Sequence, residues 1–210
     1  RPGNHGHHTS AMYLLILILL LAAQPAFPQD TFTGVERVVA VGDVHGDYAA
    51  FLAILRDAGI IDAKARWIGG KTHLVQTGDV LDRGPDSRKA MDLLMSLEKQ
   101  ASRAGGRVHS LIGNHEAMNM YGDLRYTSAG EYAAFKSSDS DPLRRAFWEQ
   151  QLQALPRPPT ADEKKLWDAE HPLVWVEHRI QFGAEGNYGK WLRTHNAVVK
   201  INDSIFLHGG

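Results

Sequence analysis

Short apolar runs alternate with helical patterns along the first half of the chain. The runs cover residues 38–41, 73–77 and 107–112, and each is followed by a polar block that contains glycine. A short run rich in β-branched residues and closed by glycine is typical of a buried strand. Between the runs, residues 48–58 and 87–103 carry apolar side chains at helical spacing. The pattern therefore predicts a strand–helix–strand–helix–strand unit.

Similar lengths of chain separate the three polar blocks. Asp43 precedes Asp79 by 36 positions and Asp79 precedes Asn114 by 35, and each step is about the length of one βαβ unit. Strands joined in this way are parallel, and ligands of an open parallel sheet bind beyond the carboxyl ends of its strands. Because every block follows a strand, we expect the three blocks to converge at one edge of the sheet.

The second half of the chain has a less regular pattern. We expect residues 120–195 to form a helical insert, because residues 142–155 are amphipathic and Thr160 begins a helix with an acidic first turn. The aromatic residues of this insert either complete the core or line a groove beside the site. Residues 197–201 and 204–207 predict a hairpin around Asn202 and Asp203. Residues 29–36 are interpreted as a polar lead-in, and residues 67–68 as a short edge strand or a loop.

An unbroken apolar run of 13 residues, 11–23, lies near the amino terminus. It is too short to cross a bilayer and has the length of the apolar part of a signal peptide. We expect residues 1–29 to comprise upstream residues and this signal-peptide-like segment, and residues 30–210 to form the folded domain. The run predicts a periplasmic or secreted protein without a transmembrane span in its mature form. A cytoplasmic or membrane-anchored protein is the alternative.

The overall composition excludes some classes of partner and site. Of the 210 residues, 43% are hydrophobic, which is sufficient for a core, and the formal net charge is −1. A chain so close to neutrality has no electrostatic basis for binding nucleic acid, and no such partner is expected. Since the chain contains no cysteine, thiolate metal sites and disulfides are excluded.

The polar blocks carry side chains that ligate metals. Asp43 and Asp79 supply carboxylates, His45 an imidazole and Asn114 an amide oxygen. Oxygen and imidazole donors without thiolates suit Mn, Fe or Zn. Asp79 follows the middle run, so its two oxygens are placed to bridge two metals. Such a site holds a hydroxide and stabilises the attacking and leaving oxygens of a phosphoryl displacement.

The residues of these blocks resemble the signature of a known enzyme family. Residues 42–46 are GDVHG, 78–84 are GDVLDRG, 113–116 are GNHE and 208–210 are HGG. These motifs resemble those of the phosphoprotein phosphatase family of calcineurin-like metallophosphoesterases. GNHEAMN at 113–119 and YGKWLR at 188–193 are similar to the bacterial-type Shewanella-like branch. The resemblance implies an α/β fold with a βαβαβ core and central β-sheets flanked by helices.

The resemblance also implies which residues hold metal. Asp43 and His45 would hold the first ion, Asp79 would bridge, and Asn114 and His208 would hold the second. The family pattern continues after HGG with a further sheet, another metal-binding histidine and a second phosphate-binding arginine. It therefore implies that the chain is a fragment that lacks the carboxyl-terminal part of its domain.

The resemblance further implies catalytic or substrate-binding roles for four motif residues. His115 would be the general acid and Asp82 would orient it, while Arg83 and Asn114 would bind the phosphate. Histidine exchanges protons near neutral pH, and a carboxylate partner fixes its tautomer. A guanidinium matches two phosphate oxygens at once.

Four further polar residues lie close to the motifs. Asp47 and Glu116 are expected to start helices or to support the ligands. Arg125 and Arg193 are either additional phosphate ligands or ordinary exposed and ion-paired side chains.

The sequence therefore predicts a phosphatase that uses two divalent ions, with Mn favoured, to hydrolyse phosphomonoesters of proteins or peptides by attack of a metal-bound hydroxide. One alternative is a dinucleoside polyphosphate hydrolase of the same superfamily, although those enzymes more often have aspartate where this chain has Glu116. The other alternative is a non-catalytic scaffold. A scaffold has no reason to keep the complete motif set.

Overall fold

The computed structural model describes residues 28–209. The apolar run at 11–23 lies outside this range, so the signal segment stays a prediction. Strands β1 to β6 form two three-stranded sheets. In the first sheet, β2 (Val38–Val41), β3 (His73–Gln76) and β4 (Arg107–Ser110) are parallel and lie side by side in chain order. The predicted order of strands and helices is confirmed.

Two helices connect these strands and cover one face of the sheet. Helix α1 (Tyr48–Asp57) begins where the Asp47 carboxylate accepts a hydrogen bond from the backbone N–H of Ala50 at 2.9 Å. Helix α2 (Ser87–Arg103) presents an apolar stripe to β4. The large buried core is built from both helices and the sheet, with Phe51, Leu55, Leu74, Met91 and Leu94 among its least exposed residues.

The second sheet lies on the opposite face. It contains β1 (Thr31–Phe32), β5 (Val198–Ile201) and β6 (Ser204–Leu207) in the order β1–β5–β6. The predicted hairpin is β5–β6, which pairs antiparallel. The polar lead-in at residues 29–36 contains β1, a strand that was not predicted and that pairs parallel to β5. A two-residue strand has no periodicity to detect, and its partner lies far away in the sequence.

Side chains of β3 point alternately to the two faces of the parallel sheet, so β3 contacts both neighbouring layers. Leu74 faces the helices, whereas Val75 packs with Phe32, Val199 and Ile201 between the sheets. The layers are therefore helices, parallel sheet and second sheet, and the loops after β2, β3 and β4 lie at one edge of this stack.

Six helices lie between β4 and β5. They are α3 (Asn114–Tyr121), α4 (Ala129–Ala133), α5 (Ser140–Ala154), α6 (Ala161–Glu170), α7 (Trp175–Phe182) and α8 (Asn187–Leu192). Helices α5 and α6 match the two predicted in this region, and Thr160 caps α6. The pair 67–68 is not a strand, since only a single bridge joins Ile61 and Trp67. Among residues 28–209, no helix has the length and apolarity needed to cross a bilayer.

Candidate metal and phosphate site

The loops after β2 and β3 are joined through their backbones. The N–H groups of Val44 and His45 both donate to the Asp79 carbonyl at 2.9 Å, and the Gly84 N–H donates to the His45 carbonyl at 2.9 Å. The approach is so close that a Cβ on Gly84 would lie 2.3 Å from the His45 oxygen. Only glycine fits there. The two polar blocks therefore meet, as their position after parallel strands predicts.

Four residues of these loops have left-handed backbone conformations. The φ angles of His45, Asp79, Asp82 and Arg83 are +47°, +57°, +70° and +68°. Each costs about 1–2 kcal/mol relative to a right-handed conformation, and such strain persists where surrounding bonds determine it, commonly at functional sites. The surrounding hydrogen bonds therefore hold these four side chains in orientations that relaxed loops would not give.

Glu116 joins the third loop to the second. Its buried carboxylate accepts hydrogen bonds from the N–H groups of Asp79 (2.8 Å), Val80 (2.8 Å) and Gly113 (2.9 Å). Burial raises the pKa of Glu116, and these three donors oppose the rise. Glu116 therefore holds the backbone of the two loops that carry the candidate ligands, and support of the ligands is one of the roles expected for it.

Asp79 lies at the centre of the candidate ligands. Its Oδ2 is 3.6 Å from His45 Nε2 and 3.3 Å from His208 Nε2, and His208 Nε2 is 2.9 Å from Asn114 Oδ1. Asp43 approaches both histidines, at 3.7 Å in each case. Ligands of one ion, each bonded at about 2.0–2.2 Å, lie at comparable distances from one another. All five candidate ligands therefore lie close enough together that they could hold two divalent ions, with Asp79 near both groups of ligands.

The environment of His45 provides a test of whether this donor set fits a metal. Its Nδ1 lies 2.9 Å from the Leu81 carbonyl and donates to it, so Nε2 carries the lone pair. That Nε2 is buried and has no hydrogen-bond partner among the described residues. A buried polar atom without a partner is costly, whereas a metal-bound histidine characteristically donates its other N–H in this way. The residues present therefore fit a divalent ion.

A second pair of side chains lies beside these ligands. His115 Nδ1 is 2.7 Å from Asp82 Oδ2, and both side chains are buried. Its Nε2 is 3.8 Å from Asp79 Oδ2 and 3.4 Å from Nη2 of the exposed Arg83. The imidazole is thus oriented by one carboxylate and directs its other nitrogen toward the candidate metal ligands.

Asp82 is held in place by three residues. The sequence analysis assigned no role to any of them. Asn119 Nδ2 donates to Oδ2 at 2.9 Å, Thr127 Oγ1 donates to Oδ1 at 3.0 Å, and the Asp82 N–H donates to Glu131 at 2.9 Å. Burial raises the pKa of Glu131. Asn119 was detectable, since it lies one helical turn after His115. Thr127 and Glu131 are brought in by loop and helix packing that has no local sequence signal.

The two additional arginines make other contacts. Arg125 Nε donates to Asp123 at 2.8 Å, and this ion pair is exposed. Arg193 donates to the Gly189 carbonyl at 2.8 Å. Both are engaged as ordinary surface or structural side chains, which was the alternative to a phosphate-binding role.

Comparisons with known proteins agree with this geometry. The calcineurin-like phosphoesterase family matches residues 36–210. The chain is 45% identical to Shewanella-like protein phosphatase 2 of Arabidopsis thaliana, over 90% of this chain and 50% of that protein. It is 29% identical to Shewanella-like protein phosphatase 1 of Plasmodium berghei, over 83% and 39%.

A solved structure has the same fold. The cold-active protein-tyrosine phosphatase of a psychrophilic Shewanella species superposes with a TM-score of 0.62 and 34% identity, over 88% of this chain and 45% of that one. The chain thus spans half or less of the length of these relatives. The matched range includes all four motif blocks and both sheets except β1, and the chain belongs to the calcineurin-like phosphoesterase family.

Proposed function

We propose that this chain provides the catalytic centre of a metal-dependent phosphatase that hydrolyses phosphomonoesters of proteins or peptides. The observation that carries the proposal is the His115–Asp82 pair, with His115 Nε2 within 4 Å of both Asp79 and Arg83. A metal-dependent hydrolase of phosphate esters brings metal ligands, a phosphate-binding cation and a general acid together at one site. The phosphatase names of the relatives support the same activity.

Two ions fit the donor set. Asp43, His45 and Asp79 would hold the first, and Asp79, Asn114 and His208 would hold the second. When bound, divalent ions stabilise charge on the phosphoryl oxygens and lower the pKa of a water molecule. Mn is favoured among Mn, Fe and Zn, because most of these donors are oxygen atoms and none is a thiolate.

Arg83 is the phosphate-binding residue. Its guanidinium is exposed, and Nη2 lies 3.4 Å from His115 Nε2. The two groups therefore reach the same phosphate ester. Arg83 contacts the non-bridging oxygens of the ester, and His115 contacts its bridging oxygen. A planar guanidinium binds two oxygens of a phosphate simultaneously and retains its charge throughout.

His115 is the general acid. Asp82 accepts the Nδ1 proton and stabilises the imidazolium, as a carboxylate does for a catalytic histidine. As a hydroxide derived from water forms a new bond to phosphorus, the bond between phosphorus and the leaving oxygen breaks. The imidazolium transfers its Nε2 proton to that leaving oxygen, and the products are inorganic phosphate, an alcohol and neutral imidazole. Asp82 keeps the ring in one tautomer.

The test compares leaving groups. With His115→Asn, we expect turnover of an alkyl phosphate to fall about 10²- to 10⁴-fold, which is the usual contribution of a general acid. Turnover of p-nitrophenyl phosphate, whose leaving group needs no proton, should fall much less. Manganese affinity measured by calorimetry should remain within about twofold, because the imidazole is not among the five proposed ligands. Equal losses on both substrates would remove His115 from the acid role.

A further inference from the structure

Arg179 is a half-buried cation of the helical insert that lies outside all the motifs. It belongs to α7, which is anchored in the protein by the buried side chains of His178 and Phe182. The Arg179 guanidinium donates to two backbone carbonyls of α3. Nη1 lies 2.6 Å from the Asn119 oxygen, and Nη2 lies 3.5 Å from the Met120 oxygen. Arg179 therefore joins the helical insert to the helix that carries the general acid.

These carbonyls lie in the last turn of α3. The last four carbonyls of a helix have no partner within the helix. In α3 the first of them, Met118, accepts from the N–H groups of Gly122 and Asp123 at 2.8 and 2.9 Å, and Arg179 supplies the next two. The guanidinium also packs on Gly122, where a Cβ would lie 3.0 Å from Arg179 Cζ. A cation at this end of a helix is stabilised by the helix dipole, so Arg179 caps α3.

Hydrogen bonds continue from the capped end to the general acid. Asn119 Nδ2 donates to Asp82 Oδ2 and to the His115 carbonyl, at 2.9 Å in each case. The same Asp82 oxygen lies 2.7 Å from His115 Nδ1. Asn119 is thus held by Arg179 through its backbone and holds Asp82 through its side chain. A displacement at the end of α3 would reach the imidazole through these bonds.

We propose that Arg179 is a positioning residue for the general acid, because its cap on α3 keeps Asn119 against Asp82 and thereby aligns the His115 ring with the leaving oxygen. The inference rests on the proposed phosphatase function. Proton transfer is sensitive to such alignment, since a misplacement of about 1 Å can cost about 10²-fold in rate. Arg179 donates to none of the five candidate metal ligands, so its loss should act on the acid rather than on the metal site.

The test compares two leaving groups at saturating substrate. With Arg179→Met, kcat for an alkyl phosphate should fall about 10- to 100-fold, whereas kcat for p-nitrophenyl phosphate should fall less than about twofold, because its leaving group needs no proton. The ratio of the two rates does not depend on the fraction of protein that is folded. Arg179→Lys keeps a cation near the carbonyls and should restore most of the ratio. Arg145→Met, on the exposed surface of α5, is the matched control.

A double variant tests the route through Asn119. Asn119→Ala removes the side chain that connects the capped end of α3 to Asp82, so it should lower the same ratio. If Arg179 acts through Asn119, then adding Arg179→Met to Asn119→Ala should lower the ratio by less than about a further twofold, because residues that act in series are not additive. Fully additive losses would contradict this route.

Other outcomes also overturn the positioning role. Equal losses on both substrates, an unchanged ratio, or the same change with Arg145→Met contradicts it. If the wild type hydrolyses neither phosphate, the phosphatase proposal fails, and proton NMR then tests Arg179 separately. The proton between His115 Nδ1 and Asp82 should give a downfield resonance that His115→Asn removes. Arg179→Met should shift or broaden it and Arg145→Met should not; an unaffected resonance, or none in the wild type, rejects the inference.

Discussion

His45 and His115 differ in the group that faces the Nδ1 atom of each ring. For His45 this group is the Leu81 carbonyl, and for His115 it is the Asp82 carboxylate. A neutral carbonyl fixes one tautomer and leaves Nε2 free to bind a metal. A carboxylate stabilises the imidazolium, which is the form that a general acid requires. The same residue type therefore suits two tasks because its partners differ.

The support given by Glu116 predicts a stability change. The Val80 N–H donates to Oε1 of Glu116, and the N–H groups of Asp79 and Gly113 donate to Oε2. In Glu116→Gln one of these oxygens becomes an amide N–H₂, which cannot accept a hydrogen bond, so at least one of the three donors loses its partner. Leaving a buried donor without a partner costs about 1–3 kcal/mol. We expect the free energy of unfolding in urea to fall by about that amount.

The matched control is Glu149→Gln on the exposed surface of α5. A surface substitution of this kind changes stability by no more than about 0.5 kcal/mol. If the two variants have the same urea midpoint, the carboxylate of Glu116 does not hold the loops together.

At the scale of elements, a histidine pair joins the two sheets. His109 on β4 and His73 on β3 are hydrogen-bonded ring to ring at 3.0 Å, and the Phe32 ring of β1 packs 4.8 Å from that of His109. Burial lowers the pKa of both histidines, and it lowers that of His109 from 6.5 to about 3. The interface between the sheets therefore holds His109 neutral.

The lowered pKa of His109 predicts that the folded protein loses stability in acid. Between pH 6.5 and about 3 the unfolded chain binds a proton at His109 that the folded chain does not, so unfolding becomes easier as the pH falls through this window. The contribution of neutral His109 is fully present above pH 6.5. With His109→Gln, urea midpoints measured at pH 7.0, 5.5 and 4.5 should fall less steeply than those of the wild type. Identical slopes would show that His109 is not the group responsible.

At the scale of the whole molecule, metal binding should be coupled to folding. The candidate ligands come from the loops after β2, β3 and β4 and from the end of β6, so ions at this centre bind the folded chain in preference to the unfolded one. A ligand at 100 times its Kd adds about 2.7 kcal/mol of stability. We expect Mn²⁺ to raise Tm of the wild type.

Asp79→Asn removes a charge from the residue that both proposed ions would share, and it should abolish most of this rise. Asp162→Asn, in the exposed first turn of α6, should leave the rise intact. An equal increase in all three proteins would place the ion elsewhere.

The sequence predicts the parallel sheet and the meeting of its loops because each strand is followed directly by its own polar block. The two-residue β1 and the support from Thr127 and Glu131 could not be predicted, since they depend on packing between distant segments. The left-handed conformations of Asp82 and Arg83 were also missed, because neither residue type indicates a positive φ by itself. The prediction thus fails mainly where the fold imposes the conformation.

The most direct test of the central claim is metal-dependent turnover of a phosphopeptide. The purified protein would be freed of metal and assayed on a phosphotyrosine peptide and on diadenosine tetraphosphate, with and without Mn²⁺, beside the Asp79→Asn variant. The account predicts release of phosphate from the peptide only with Mn²⁺ and only by the wild type. Hydrolysis of the dinucleotide alone, or peptide turnover that survives both metal removal and Asp79→Asn, would contradict it.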